Sequence, residues 1–449
     1  LIDRFVGRII GGFMRRPNSL RRGQWAAFSF LFGNAVSMVG NALVLVALPW
    51  FVIETTGSAA RTGMIGMISA LPALTAGILG GVLVDRFGGR RMSVISDLIS
   101  GVAVALIPFL YQTTGLSFWT LMLLVFIGAA FDIPGVTAKR LLLPDLARDS
   151  GMRDEAMTSA YETTQGASWI VGPLLAGVLI ALIGTVNLLW ITAGGFIISA
   201  ICIGLFSPEG RHVHSLEDGA LHPEVGALAE IKAGLRYLRT DSFLLSLAFG
   251  LTLMNFLNGP FWSVVVPVQI EWTYGHASRF GLLLTMLGIG SLLGGIGYGA
   301  LGHRFRKHRR LIYLLGVTSF PALLWVFVAN VSFPWLVAAS LVAGLLSGPI
   351  NPLLVTVRLE RIPPALRGRV FSTFSGLAGA AIPLGMVLAG WLLEFAGIRT
   401  GLVVIALIAT AFTLALWLTR PLHEMDKEPA IEKVPTPAER STDRDYGKA

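Results

Sequence analysis

The chain has 449 residues, 54% of them hydrophobic and only 14% charged, with a mean hydropathy of +0.71. A soluble domain carries about 25% charged residues, so a soluble multi-domain enzyme is excluded, and a lone cysteine, Cys202, in an apolar run excludes a disulfide-stapled secreted protein. The net charge of +9 comes from basic residues lying between apolar stretches, which points to anionic lipid head groups rather than nucleic acid.

A helix needs roughly 20 apolar residues to cross the hydrocarbon core of a bilayer. In chain order, twelve segments qualify: 25–53, 62–83, 92–111, 118–138, 158–183, 187–206, 243–270, 279–302, 311–329, 335–356, 370–395 and 399–419. Residues 1–24, before them, hold six arginines and no sustained apolar core, so a cytoplasmic segment without a cleavable signal peptide is expected. The polar stretch 207–242 separates two blocks of six, 25–206 and 243–420. The tail 421–449 is rich in proline and mixed charge and is expected to be disordered. Of 35 lysines and arginines, 32 lie in the termini and the five loops on one side, and the other loops hold only Arg61, Arg279 and Arg399. This positive-inside pattern puts both termini and the central loop in the cytoplasm of a bacterial-style inner membrane.

The two blocks repeat one unit. Phe32-Gly33 recurs as Phe249-Gly250 and Asn41 as Asn258, offset by 217; Pro49, Gly63, Gly81 and Pro134 recur as Pro267, Gly281, Gly299 and Pro352, offset by 218. Six spans per unit give both units the same orientation, a parallel repeat whose halves enclose a site near the midplane and rock about it. The sequence therefore predicts an all-α polytopic membrane protein of twelve transmembrane helices in two pseudo-symmetric six-helix bundles.

The loop after the second span reads Gly81-Val-Leu-Val-Asp85-Arg86-Phe87-Gly88-Gly89-Arg90-Arg91, and a degenerate copy, Gly299-Ala-Leu-Gly-His303-Arg304-Phe305, follows the eighth. It resembles the hallmark loop of the major facilitator superfamily, with His303 in place of the second-half aspartate. The resemblance covers roughly 20–420 and implies the major facilitator fold. It also implies that Gly81, Asp85, Arg86, Gly88, Arg90, Arg91, His303 and Arg304 form a cytoplasmic latch between the halves; the plainer alternative is a topological anchor. In the fifth span, Ser168-Trp-Ile-Val-Gly172-Pro173-Leu-Leu-Ala-Gly177 resembles a motif of the antiporter branches. Small residues there permit close helix approach, so Gly172, Pro173 and Gly177 are expected either to make a flexible seam or simply to pack. In the central loop, Val225, Leu228, Ile231, Leu235 and Leu238 recur at helical spacing, an amphipathic helix expected at the inner membrane surface. The run Ala-Gly-Leu-Arg-Tyr-Leu-Arg239, with Leu143-Pro144-Asp145-Leu146 and Arg367-Gly-Arg-Val-Phe371, is similar to a drug–proton antiporter branch that includes macrolide and enterobactin exporters.

Acidic groups inside the membrane are the natural proton-coupling candidates, because burial is costly unless they have a task or a partner. Asp132 in the fourth span stands first, then Asp97 in the third and Glu162 in the fifth; the alternative for the two aspartates is pairing with Arg90, Arg91, Lys139 or Arg140, and for Glu162 a cytoplasmic gate or helix cap. Residues 118–138 contain no arginine, and Lys139 and Arg140 fall beyond the expected core, so proton coupling is implied by the resemblance alone. Asn34, Met38 and Asn41 on one face of the first span, Gln165 and Trp169 on the fifth, and Asn255, Asn258 and Trp262 on the seventh are the cavity candidates, since an amide cannot face lipid unpaired. The alternative for each asparagine is an interhelical hydrogen bond with no substrate.

A cavity of Phe, Met and Trp with few charges suits a hydrophobic or amphipathic substrate. No metal-spaced histidine pair and no Walker A pattern occurs in the chain. The expectation is a monomeric, non-enzymatic exporter with no cofactor and no metal, whose partners are its substrate, protons and membrane lipids. A lipid or lysophospholipid transporter and a non-transporting receptor or scaffold on the same fold are the rival readings.

Overall fold

In a computed structural model, residues 18–73, 83–208 and 227–426 are described. They are helical almost throughout. The first half comprises α1 (Asn18–Thr56), α2 (Ala59–Ala70), α3 (Gly89–Thr113), α4 (Phe118–Leu141), the short α5 (Leu143–Ser150), α6 (Asp154–Ile183) and α7 (Thr185–Phe206). After the linker helix α8 (Ala227–Thr240) come α9 (Ser242–Pro260), α10 (Val266–Tyr274), α11 (Ala277–Leu301), α12 (Arg309–Val328), α13 (Phe333–Ser347), α14 (Ile350–Arg361), α15 (Arg367–Ala396) and α16 (Ile398–Leu418). Among the described residues, ten helical stretches are long and apolar enough to cross a membrane. One of them, Ala277–Val328, is 52 residues long and contains both α11 and α12, with a 3-10 segment, Gly302–His308, between them. The second expected span is described only to residue 73, so 74–82, with the latch glycine Gly81, lie outside the described residues.

The arginine-poor end of the molecule is glycine-capped. Gly57, Gly184, Gly275 and Gly397 take positive φ at the turns between helices there, a conformation that costs other residues a steric clash. The seventh expected span is not one regular helix. Pro260 has no N–H to give, and a π-helical turn, Phe261–Val265, follows it before α10 resumes. That turn offsets the helix beside Asn258 and Trp262.

The halves meet along two seams, α2 against α15 and α6 against α11. Glycine makes both possible. A Cβ on Gly63 would collide with the Met386 carbonyl and stand 3.1 Å from the Gly390 Cα. A Cβ on Gly281 would collide with the Pro173 carbonyl and stand 3.0 Å from the Gly177 Cα. Gly63 and Gly281 are repeat mates, so one close approach is built twice.

The apolar core shows where the halves part. At the arginine-poor end a single cluster runs through both, joining Phe51, Ile107 and Phe196 to Phe261, Phe280 and Leu393. At the basic end no cluster of described residues spans both halves. One around Phe30, Leu146 and Tyr161 and a small one around Val84, Met92 and Ala138 belong to the first half; another, around Phe243, Tyr313 and Phe374, belongs to the second. Along α6 and α11 the separation grows towards the basic end. Gly177 touches Gly281, the Thr285 hydroxyl donates to the Ile170 carbonyl at 3.3 Å, and a Cβ on Gly288 would stand 3.6 Å from Ile170, but a Cβ on Gly166 would meet nothing. The molecule is closed at one end and opens as a V at the other.

Three expectations about the periphery change. The first helix begins at Asn18 rather than 25, because Gly23 lets it lie against the end of α5 at Asp149 and Ser150. The linker helix does not rest on lipid alone: α8 packs on α15, with Gly234 against Thr373 and Leu238 fully buried. The stripe residues Val225, Leu228 and Ile231 lie outside the described side chains. The tail is not disordered from 421. Residues Arg420–Asp426 form a 3-10 segment whose Leu422 and Met425 are buried under the second half. It is tied there by Asp426, which accepts from the Arg310 N–H at 2.9 Å, and by Glu424, which pairs with Arg361 at 2.7 Å.

Candidate functional site

Among the described residues, three cavities lie along the cleft: a shallow one of about 490 Å³ between α6 and α11, and two deeper ones, one mainly in each half. The larger of the deeper two, about 420 Å³, is walled by α1, α2, α3, α4 and α6 of the first half and closed by Ser263 and Met386 of the second. Four of the residues expected to line it do so: Met38, Asn41, Gln165 and Trp169. Asp132 is the one acidic group in its wall, and the Asn41 amide donates to it at 2.7 Å. The bond uses a neutral partner, and among the described residues no cation is in direct contact with Asp132. The rest of the lining is mainly aliphatic, with Met and Trp side chains at its ends.

The smaller cavity, about 220 Å³, lies within the second half and takes in the other three candidates, Asn255, Asn258 and Trp262. Asn255 also donates to the Ala378 carbonyl at 3.2 Å, which joins α9 to α15. This cavity contains Asn351, Ser291 and Tyr313 as well, which sequence periodicity did not single out. It has no acidic group. On the 218 offset Asp132 maps to Ile350, so the repeat is chemically lopsided at its centre.

Asn34 departs from expectation. It is fully buried, lines neither cavity, and its amide has no hydrogen-bond partner. Two turns before Asn41 the helix is already enclosed by the basic-end cluster of the first half, where Phe30 stacks on Tyr161.

Asp97 lies deeper, 3% exposed, away from the cavity. Its Oδ1 accepts from Lys139 Nζ at 2.9 Å and Ser37 Oγ at 3.0 Å, and its Oδ2 accepts from Ser199 Oγ at 2.6 Å. The pairing alternative weighed for Asp97 is thus the observed one, with Lys139 as partner. Lys139 itself is misplaced by the sequence reading: it is 2% exposed, inside the first half. A lysine stem is long enough to run back along its own helix, so a position beyond the apolar segment still delivers a charge into the bundle. Glu162 stands exposed in the cleft, 3.3 Å from Arg140, which also reaches Gln165 at 3.5 Å.

The latch residues that are described do not bridge the halves in this state. Asp85, Arg86, Arg91, His303 and Arg304 are exposed at the basic end, where the halves are apart. Arg90 donates instead to the Gly204 carbonyl of α7 in its own half, at 3.0 Å from Nε. Gly88 takes φ 79° at the turn into α3. In the fifth-span motif, Gly172 lies against Ala42 of α1, and Pro173 and Gly177 lie against Gly281 of α11. The motif therefore sits both beside the cavity and on a seam.

Two helical bundles closed at one end around a central cavity define a membrane carrier rather than a fixed pore. The model of the Major Facilitator Superfamily matches residues 30–330 and 251–444, and the chain belongs to that family. It is 33% identical over 400 residues to the multidrug efflux pump Tap of Mycolicibacterium fortuitum, covering 88% of this chain and 96% of the pump. It is 24% identical over 379 residues to macrolide efflux protein A of Streptococcus pyogenes, covering 82% and 89%. The fold matches that of the nucleoside transporter NupG, with a TM-score of 0.70 at 12% identity over 88% of this chain and 98% of that one. It also matches a bacterial homologue of the lysosomal transporter Spinster, with a TM-score of 0.63 at 13% identity over 91% and 98%.

Proposed function

We propose that this carrier exports hydrophobic or amphipathic drug-like compounds by alternating access, driven by proton entry at Asp132. The observation that carries the reading is the larger of the two deep cavities: mostly aliphatic walls, Met and Trp side chains, and one carboxylate held by a neutral amide. Such a lining solvates large apolar molecules and gives a sugar few partners. The multidrug and macrolide efflux proteins among its relatives support the same substrate class. The lysine and arginine distribution supports a cytoplasmic basic end, and with that orientation the V opens inward, to the side from which an exporter accepts its substrate. Both termini are then cytoplasmic, and the expected latch contacts belong to the opposite, outward-open state. The carrier works as a monomer in the inner membrane, surrounded by lipid, with no metal and no cofactor.

The test is a panel of macrolides, other drugs and lysolipids, read first as thermal stabilisation in detergent and then as efflux from cells expressing the protein. A ligand at a hundred times its Kd adds about 2.7 kcal/mol to the folded state. Stabilisation by lysolipids alone would move the assignment to the lipid-transporter reading. One observation favours that rival: the cleft between α6 and α11 is flanked by exposed Leu292 and Ile296.

A further inference from the structure

The buried ion pair of the first half has no role in the reading so far. Asp97 and Lys139, with Ser37 and Ser199, tie α3, α4, α1 and α7 together in one fully enclosed polar layer. The second half does not repeat it at this level. On the repeat offsets Ser37 maps to Met254 and Lys139 to Val357, and the ion pair between the corresponding helices there, Arg309 with Glu360 at 2.6 Å, stands three residues further along α14, towards the basic end. A buried ion pair is often no more stabilising than a well-packed apolar replacement, so stability alone does not account for a charge pair at this depth of the first half.

Its position relative to Asp132 suggests what it does. Lys139 lies seven residues after Asp132 on α4, two turns along the same face, about 10 Å apart along the axis. Helical side chains lean towards the N-terminus of their helix, so the Lys139 stem runs towards Asp132. Ser37 and Asn41 are likewise one turn apart on α1; Ser37 accepts from Lys139 at 2.9 Å, and Asn41 donates to Asp132 at 2.7 Å. The two polar layers are thus stacked on the same pair of helices.

The other elements around α4 bring little that competes. α1 presents only Asn41 and Ser37 at this level, the described part of α2 has only Arg61 at the far end, and α7 presents Ser199. α6 brings Tyr161 and Glu162; Glu162 pairs with Arg140 in the open cleft. α5 carries Asp145 and Arg148, paired with each other at 3.3 Å, and Asp149, all beyond the basic end.

We propose that Asp97 and Lys139 are positioning residues for proton coupling: Lys139 is the cation against which Asp132 exchanges its proton, and Asp97 holds that cation in place. The proposal rests on Asp132 being the coupling carboxyl. An opposite charge within about 4–6 Å moves a carboxyl titration by roughly one to three pH units, and across two helical turns the effect keeps its sign but is smaller.

The test is substrate-driven proton flux in proteoliposomes as a function of pH. Lys139→Gln should move the midpoint up by roughly half a pH unit, and Asp97→Asn, which leaves the cation without its anchor, should move it down by a similar amount. The double variant leaves no unpaired buried charge, so it is the one expected to fold in any case; its midpoint should move up, by less than that of Lys139→Gln. Lys139→Arg, which keeps the charge, should stay at the wild-type midpoint. A folded double variant with lower flux but an unmoved midpoint reduces the pair to a structural tie and overturns the proposal. Failure of the underlying reading looks different: Asp132→Asn would then retain proton flux, whatever the pair variants do.

Discussion

Glu394 and Ser58, 336 residues apart, meet across the closed end. The Ser58 hydroxyl donates to Glu394 Oε2 at 3.1 Å, and the Ala60 N–H donates to the same oxygen at 3.2 Å. Glu394 ends α15 in the second half, and Ser58 caps α2 in the first, its Oγ also accepting from the Arg61 N–H at 3.2 Å. A carboxylate at a helix N-terminus satisfies orphan N–H groups and meets the positive end of the helix dipole. These bonds exist only while this end is shut.

Removing that carboxylate should therefore favour opening. Glu394→Ala is expected to cost the closed end a few tenths to about 1 kcal/mol, since the site is exposed. In cells, Ser69→Cys, a cavity-lining position off the seam, on a Cys202→Ala background should react faster with an impermeant maleimide added outside. An unchanged labelling rate would mean that the seam glycines hold the gate without help.

The seam itself is less forgiving. In Gly281→Ala the new methyl group would meet the Pro173 carbonyl, a rigid backbone atom. The expected result is a shift towards the outward-open state and a several-fold fall in efflux with the protein still folded. Wild-type efflux would show that α6 can slide to accommodate a methyl group.

Asp132→Asn keeps the Asn41 contact in reach but removes the titratable group. Substrate-driven proton flux in proteoliposomes should vanish while ligand-induced stabilisation in detergent stays within about twofold in apparent affinity. Proton flux at the wild-type level would exclude Asp132 from coupling.

Two of the three arginines on the arginine-poor side are held by rings. Arg61 lies over Phe118 at 5.5 Å, and its repeat mate Arg279 lies over Tyr274 at 4.3 Å and Phe333 at 5.1 Å. Each clamps the start of one span to the start of another in its own half. Arg279→Ala should cost about 1 kcal/mol, seen as a lower melting temperature in detergent, and Arg61→Ala, with one ring, should cost less. The opposite order would mean that something other than the rings holds Arg279.

The cavity residues on α1 and α9 were legible because a helix facing both lipid and a cavity must place its amides on one stripe. Met38, Asn41, Asn255, Asn258 and Trp262 all line a cavity for that reason. Asn34 shares the stripe but not the environment, because periodicity does not say how far along a helix a cavity extends. Lys139 was misread because span limits were drawn by hydropathy, and a long side chain carries its charge a turn or more from its own backbone. Ser37, Ser199 and Glu394 gave no signal at all. Each is an ordinary polar residue until a helix from elsewhere in the chain is laid beside it.

What the linear chain determined by itself is the class of object. Hydropathy, the lysine and arginine asymmetry and the doubled loop require a bilayer-spanning duplicated bundle, because backbone polar groups in lipid must be satisfied within helices and apolar faces must meet lipid or one another. What only the tertiary structure decided is which end is shut, which carboxylate faces the cavity and which is buried in an ion pair. Those outcomes depend on contacts between Gly63 and Gly390, Gly177 and Gly281, and Asp97 and Lys139. Such contacts join distant parts of the chain, and no periodicity within a single helix encodes them.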